Sequence, residues 1–236
     1  MLTWNIRKLD QTSSTNDDAK HAAESGAEEG LVVWALQQSA GRGRQGRQWQ
    51  SPEGNLYCSI LLRPKVALRE WGKYSFVAAL VLYEAVHFYV NARGDKAVEL
   101  KWPNDVLVNG KKISGILLES GKGYLAVGMG LNVRQMPENP IYPVTSFAAE
   151  RCDAPLDQIL NKILEALDAW YSRMNKEGFA PIRTAWLSRA RRGVLRVRQP
   201  NGDIQGQFAD LDEEGNLRLI LADGTEKSFS TGDVFF

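Results

Sequence analysis

Residues 38 to 49 read Gln38-Ser39-Ala40-Gly41-Arg42-Gly43-Arg44-Gln45-Gly46-Arg47-Gln48-Trp49. Three glycines are interleaved with three arginines, and a tryptophan closes the run. No acidic residue lies between Glu29 and Glu53, so the stretch is cationic along the chain. Glycines let the backbone fold tightly and turn N–H groups toward a ligand, and arginines grip phosphate or carboxylate. Like charges and glycine entropy both oppose order. The loop is therefore expected to stay mobile until an anion offsets its arginines. Read alone, the stretch also suits a solvated basic loop or an Arg-Gly nucleic-acid tract.

Further groups could act with it. Proline stops sheet pairing, so Lys101-Trp102-Pro103-Asn104-Asp105 places Asn104 and Asp105 at a strand end. Asn109-Gly110 is a hairpin signal, with Lys111 and Lys112 on its second arm. Gly115 then admits a close backbone or ligand. Gly128-Met129-Gly130-Leu131-Asn132 is a glycine-rich strand interior of the kind that lets a ligand approach. Ser13-Ser14-Thr15-Asn16-Asp17-Asp18 is a helix start, its hydroxyls and amide suited to capping and its acids to the positive helix end.

Composition narrows the chemistry. The 236 residues have a net charge of +1, so the whole chain has no pull toward nucleic acid or anionic membrane. His21 and His87 both fall in expected helices, which argues against histidine catalysis or a histidine-rich metal site. Cys58 and Cys152 lack metal spacing and read as reduced thiols of a cytosolic protein. Asn5, Arg7, Lys8 and Asp10 interrupt any signal-peptide core. No apolar run approaches the roughly 18 residues of a membrane span.

The elements that must position these groups follow from periodicity. Strands are expected over 31–36, 55–63, 97–102, 106–108, 113–119 and 124–133. Amphipathic helices are expected over 69–91, with Phe88 on the apolar face, over 157–177, and over 180–191. The last ends in solvated Arg189, Arg191 and Arg192. From Gly193 short strands at 194–198, 204–211, 217–221 and 226–229 alternate with turns at Asn201-Gly202, Glu214-Gly215-Asn216 and Asp223-Gly224. The expected organisation is a domain of residues 1–190 followed by a small β domain of 191–236.

Taken in order, Ser14-Thr15-Asn16, the Gly41–Trp49 loop, Lys101-Trp102-Pro103-Asn104-Asp105, Lys112-Ile113-Ser114-Gly115-Ile116 and Gly128-Met129-Gly130-Leu131-Asn132 resemble the biotin protein ligases. Each motif is weak alone; five in order are specific, and the resemblance covers the whole chain. It implies an α+β fold: a mixed, largely antiparallel sheet with helices on one face, like the class II synthetases, then a C-terminal SH3-like β barrel. It implies the short form of the family, without an N-terminal DNA-binding domain and with no DNA partner.

The implied activity joins biotin to ATP, with Mg²⁺, to give biotinyl-5′-adenylate, then passes biotin to a lysine of a biotin carboxyl carrier protein such as that of acetyl-CoA carboxylase. A cytoplasmic homodimer is expected. By resemblance Ser14, Thr15, Asn16, Gln38, Gly41, Arg42, Trp49, Lys112 and Gly115 bind biotin, Gly115 leaving room for its ring. Arg44, Arg47, Trp49, Asn104, Asp105, Lys112 and Asn132 face ATP. Lys112 and Arg44 are the catalytic residues, and Asp105 is the metal candidate; Asn104 and Asp105 position metal, ligand or acceptor lysine. Gln45 departs from the basic residue many members carry there. No Ser-His-Asp or Cys-His set appears, in keeping with chemistry that needs no enzyme nucleophile. Two alternatives are a lipoate or octanoate ligase or transferase and an Arg/Gly-loop nucleic-acid module.

Overall fold

The computed structural model describes residues 2–91, 94–199 and 202–236. Asn201 of the expected Asn201-Gly202 turn lies outside them. The chain runs β1 (Asn5–Thr12), α1 (Thr15–Glu24), β2 (Leu31–Gln38), β3 (Leu56–Leu62), α2 (Tyr74–Val90), β4 (Val98–Lys101), β5 (Asp105–Val108), β6 (Lys111–Gly121) and β7 (Tyr124–Leu131). Then come α3 (Leu156–Glu177), α4 (Phe179–Leu187), β8 (Val194–Arg198), β9 (Ile204–Leu211), β10 (Leu217–Ile220), β11 (Glu226–Phe229) and β12 (Asp233–Phe235).

A seven-stranded sheet has the order β1-β2-β3-β7-β6-β5-β4. Only its β1–β2 pair is parallel, so the sheet is mixed and largely antiparallel, as expected. Alternate residues of each strand face opposite ways, and both faces are used. Val32, Cys58, Ile60 and Val127 join α2, α3 and α4 in the main core. Leu31, Val33, Leu61 and Ala126 pack with Ala19 and Ala23 of α1 in a second, smaller one. The helices therefore gather on one face except α1, whose short alanines fit the other side.

Several local expectations change. Helix α2 starts at Tyr74, and Leu68–Lys73 is a 3-10 stretch containing Gly72. Every residue from Phe76 to Leu82 is buried, because α2 is sandwiched between the sheet and the outer helices. Phe88 is 58% exposed, with Lys162 Nζ 5.0 Å from its ring centroid. Helix α4 stops at Leu187, because the following chain pairs with β4: Leu100 N–H donates to Arg189 O and Arg191 N–H to Leu100 O, both at 2.8 Å. Arg189 then lies over Tyr83 and Arg191 over Phe236, so neither is a freely solvated helix end. Strands β1 and β12 have no counterpart in the periodicity reading.

The C-terminal residues form an SH3-like antiparallel sheet ordered β11-β10-β9-β8-β12. It is fastened to the larger sheet where Trp102 Nε1–H donates to Gly215 O at 3.0 Å. Gly215 has φ of 84°, and a Cβ there would meet the Phe76 ring at 2.6 Å. That docking brings β12 beside the Gly41–Trp49 loop.

Candidate active site

A cavity of about 370 Å³ opens where the loop, the paired glycines of β6 and β7, the Lys101–Asp105 corner and β12 converge. It is lined by Ser14, Thr15, Asn16, Gln38, Arg42, Arg44, Arg47, Trp49, Asn104, Asp105, Lys112, Gly115 and Asn132. Gly41 stands behind the lining, buried at the base of the loop. A Cβ there would come within 2.5 Å of Ser51 Oγ and Trp49 O.

One end is uncharged and hydrogen-bonded. Ser14 sits at the N-cap position of α1 but makes no side-chain cap bond. Gln38 supplies it instead, its Oε1 accepting from Thr15 N–H at 2.9 Å and lying 3.2 Å from Thr15 Oγ1. Ser59 Oγ lies 2.7 Å from Thr15 Oγ1 and 2.5 Å from Asn16 Oδ1. Asn16 reaches in because Gly128 has no side chain; a Cβ there would be 2.4 Å from its oxygen. Ser59, on the β3 face it shares with Tyr57 and Leu61, gives no motif signal.

The loop is folded onto the protein's own carboxylates. Arg42 makes a bidentate pair with Asp17, both contacts 2.7 Å, and also reaches Glu119 at 3.3 Å. Its hydrogen bonds hold the Asp17 carboxyl down to about 2 against the opposing effect of burial. A depressed carboxyl stabilises the fold above its unfolded value near 3.8 and stops doing so as pH falls through the folded one. The Asp17–Arg42 anchor is thus complete at neutral pH and is released in acid, between about pH 4 and 2. Arg47 pairs with Asp233 of β12 and donates to Tyr142 Oη at 2.6 Å. Arg44 Nη2 lies 3.3 Å from Thr231 Oγ1; burial pushes its pKa down, while Asp233 and Asp105 act the other way. The expectation that the arginines repel until an external anion arrives is corrected here. Their sequence neighbourhood lacks acids, but their spatial neighbourhood supplies Asp17, Glu119 and Asp233. Gln45 takes the left-handed conformation, φ 57°, at the tip.

The other end is cationic. Asp105 is buried, with Lys101 Nζ 2.7 Å from one carboxylate oxygen and Lys112 Nζ 2.6 Å from the other. Burial works against its charge, and the two lysines overcome it and hold its pKa below the usual range. Each carboxylate oxygen thus faces a lysine ammonium, which places Asp105 to position Lys112. Tyr142 sits among the cations, its ring centroid 5.4 Å from Lys101 Nζ, 5.8 Å from Lys112 Nζ and 6.0 Å from the Arg47 guanidinium. Asn104 Nδ2 donates to Ile116 O at 2.7 Å and Asn132 Nδ2 to Thr145 O at 3.1 Å, so both amino groups are occupied in holding the walls.

Lys112 reaches the cavity through a backbone irregularity. In regular alternation residues 112 and 115 point to opposite faces. A bulge in the β5–β6 register, between Val106 and Leu107, re-aims the strand. A Cβ on Gly115 would consequently lie 3.4 Å from Lys112 Nζ. The ring over Gly115 and Gly130, which pair across β6 and β7, is the indole of Trp49. A Cβ on Gly130 would stand 2.6 Å from that indole. The space expected over Gly115 for a ligand ring is thus shared with Trp49. Gly130→Ala is expected to push the indole off the sheet and weaken ligand binding roughly tenfold, the scale of a small overpacking cost. Titration calorimetry checks this, and unchanged affinity would show that the indole has room to shift.

The sequence matches two family models, Biotin/lipoate A/B protein ligase family over residues 9–135 and Biotin protein ligase C terminal domain over residues 195–236. It is 36% identical to a biotin--[acetyl-CoA-carboxylase] ligase of Paracoccus denitrificans, covering 97% of this chain and 99% of that one. A Mycobacterium tuberculosis protein of the same name is also 36% identical, over 97% of this chain and 88% of its own. The fold superposes on biotin protein ligase from Aquifex aeolicus in complex with biotin and ATP, with a TM-score of 0.81 and 28% identity over 98% and 97% of the two chains. Glycines that seat Asn16 and Trp49, a lysine re-aimed by a bulge and a C-terminal strand closing the loop all fall within those matched regions, and the chain belongs to the biotin/lipoate A/B protein ligase family, among its biotin protein ligases.

Proposed function

We propose that this enzyme activates biotin with ATP and transfers it to a lysine of a biotin carboxyl carrier domain. The observation that carries the reading is one cavity with two unlike ends, Lys112 standing at the cationic one beside Gly115. The neutral Ser14–Thr15–Gln38 end suits the donors and acceptor of a cyclic urea. The end with Lys101, Lys112, Arg44 and Arg47 suits a polyphosphate. Pro137, Pro140 and Ile141 offer an apolar wall to the adenine.

In the first step a biotin carboxylate oxygen attacks the α-phosphorus, the α–β P–O bond breaks, and pyrophosphate leaves. Two anions must meet, and Lys112 stands where it can offset both. Asp105 keeps the Lys112 ammonium aimed without a mobile counter-ion. In the second step a carrier lysine amine attacks the acyl carbon, loses a proton and expels AMP. The anhydride is already activated, so no enzyme nucleophile is required. ATP enters as its Mg²⁺ complex. Among the described residues no group of three His, Cys, Asp or Glu side chains gathers as a resident metal cage, which suits an ion carried mainly by phosphates and water; it supplies charge neutralisation on the leaving pyrophosphate.

Among the described residues no helix is long and apolar enough to cross a membrane. A cytoplasmic homodimer that does not bind DNA is the reading that the free thiols of Cys58 and Cys152, the net charge of +1 and the family resemblance support. The test is mass spectrometry of a carrier domain after incubation with the protein, biotin and Mg²⁺-ATP. One biotinyl addition that needs both small substrates is expected. An unmodified carrier, or pyrophosphate release that ignores biotin, would refute the function; substitution by lipoate would favour the lipoate-ligase alternative.

A further inference from the structure

Glu119 lies on β6 beyond the residues of the biotin-end cluster, yet three of them or their neighbours end on it. Its Oε2 accepts from Asn16 Nδ2 at 2.8 Å and lies 3.3 Å from Arg42 Nη2, and its Oε1 accepts from Lys20 Nζ at 3.2 Å. Burial opposes its charge, and the bonds from Asn16 and Lys20 still hold its carboxyl below the ordinary range.

A carboxylate can only accept. Glu119, with Leu117 O accepting from the same Nδ2 at 3.4 Å, therefore turns the Asn16 amide with Nδ2 toward β6 and Oδ1 toward Ser59. The far end of the chain of bonds is fixed by the same logic. The Trp49 carbonyl accepts from Ser51 Oγ at 2.9 Å, so Ser51 accepts from Gln38 Nε2, also at 2.9 Å. Gln38 Oε1 is left facing Thr15. Between the two acceptor oxygens, Gln38 Oε1 and Asn16 Oδ1, stand the hydroxyls of Thr15 and Ser59, with successive gaps of 3.2, 2.7 and 2.5 Å. Thr15 N–H already serves Gln38 Oε1, so the Thr15 hydroxyl can donate to Ser59 and the Ser59 hydroxyl to Asn16; both hydroxyl protons are spent inside the cluster, which has only lone pairs left to offer a ligand.

We propose that Glu119 is a positioning residue that sets the polarity of this cluster, making it a net hydrogen-bond acceptor matched to the N–H groups of the cyclic urea. Glu119 acts through Asn16 and does not touch the substrate. The inference rests on the reading of biotin at this end of the cavity. Replacing the carboxylate with an amide lets a donor face Asn16, which can then reverse, donate to Ser59 and free a hydroxyl proton to face the ligand.

The experiment measures biotin binding by calorimetry and steady-state pyrophosphate release for wild type, Glu119→Gln and Glu24→Gln. The last is a control at a carboxylate of α1, which accepts from Tyr124 Oη at 2.9 Å well outside the cluster. Glu119→Gln is expected to weaken biotin about tenfold, the scale of one charge-assisted hydrogen bond. Its kcat at saturating biotin and its KM for ATP should stay within about twofold, because uniform binding alone is lost. Unchanged biotin affinity, or equal losses for biotin and ATP, would overturn the proposal. Should Glu119→Gln fail to fold, Ser59→Ala tests the same chain. It strips Asn16 Oδ1 of its donor, should cost biotin affinity alone by a similar factor, and overturns the proposal if affinity is unchanged. A wild-type protein that does not bind biotin would instead refute the functional reading, and this inference with it.

Discussion

Lys112→Ala is expected to slow adenylate formation by roughly 10²-fold or more, the effect of removing one preorganised charge-stabilising group. Three features aim the ammonium: the bulge that turns β6, the Asp105 carboxylate at 2.6 Å, and the Trp49 and Tyr142 rings whose centroids lie 5.4 and 5.8 Å away. None of them has to form during the reaction, so the group meets the developing charge without reorganisation. Biotin binding should fall much less, because the urea-binding cluster lies on α1, β2 and β3. Asp105 keeps Lys101 at 2.7 Å in the variant, so its charge is not left unpaired. Pyrophosphate exchange measured beside biotin titration and a thermal melt separates the outcomes. Wild-type exchange would refute the role, and parallel losses of binding and stability would reassign Lys112 to structure.

The second large effect is expected of Arg44→Gly. Arg44 is half-buried and faces Thr231, in the connection between β11 and β12, at 3.3 Å. Glycine there removes a contact between the loop and the β11–β12 connection and raises the entropy of the open loop. Closure protects a reactive anhydride from water, so a loosened loop should release biotinyl-adenylate. Free adenylate then acylates lysines on unrelated proteins. A blot for biotin on a bystander protein should show labelling several-fold above wild type, with ATP still consumed. Bystander labelling at the wild-type level, with ATP turnover intact, would sink the idea. Hydrogen exchange supplies a second check. The bonds Gly43 N–H to Arg47 O and Trp49 N–H to Gly41 O give the ligand-free loop some protection, and ligand should add to it. Equal protection across residues 41 to 49 in both states would argue against closure.

Much of the molecule is determined locally and was legible from the chain alone. The Asn109-Gly110 turn has positive φ at both residues, as its composition requires. Ile159, Leu160, Ile163, Leu164, Leu167, Trp170, Tyr171 and Met174 mark the buried face of α3 because helical spacing and burial report the same geometry. Glycines at 41, 115, 128 and 130 announce close approaches, since a missing side chain is visible without knowing what fills the gap. What fills it was decided by the tertiary fold: Asn16 over Gly128, and Trp49 over Gly115 and Gly130. The partners of the loop were equally hidden. Asp17, Glu119 and Asp233 are 25, 77 and 186 residues from the arginines they bind, and no local pattern carries information over such separations. The aim of Lys112 depends on a bulge that one strand acquires only when paired with another. The opposite placement of α1 depends on which strand face its alanines meet. Residue types specified which groups could do the chemistry. Strand pairing and the docking of β12, which bring distant charges together out of water, decided which of them face one another.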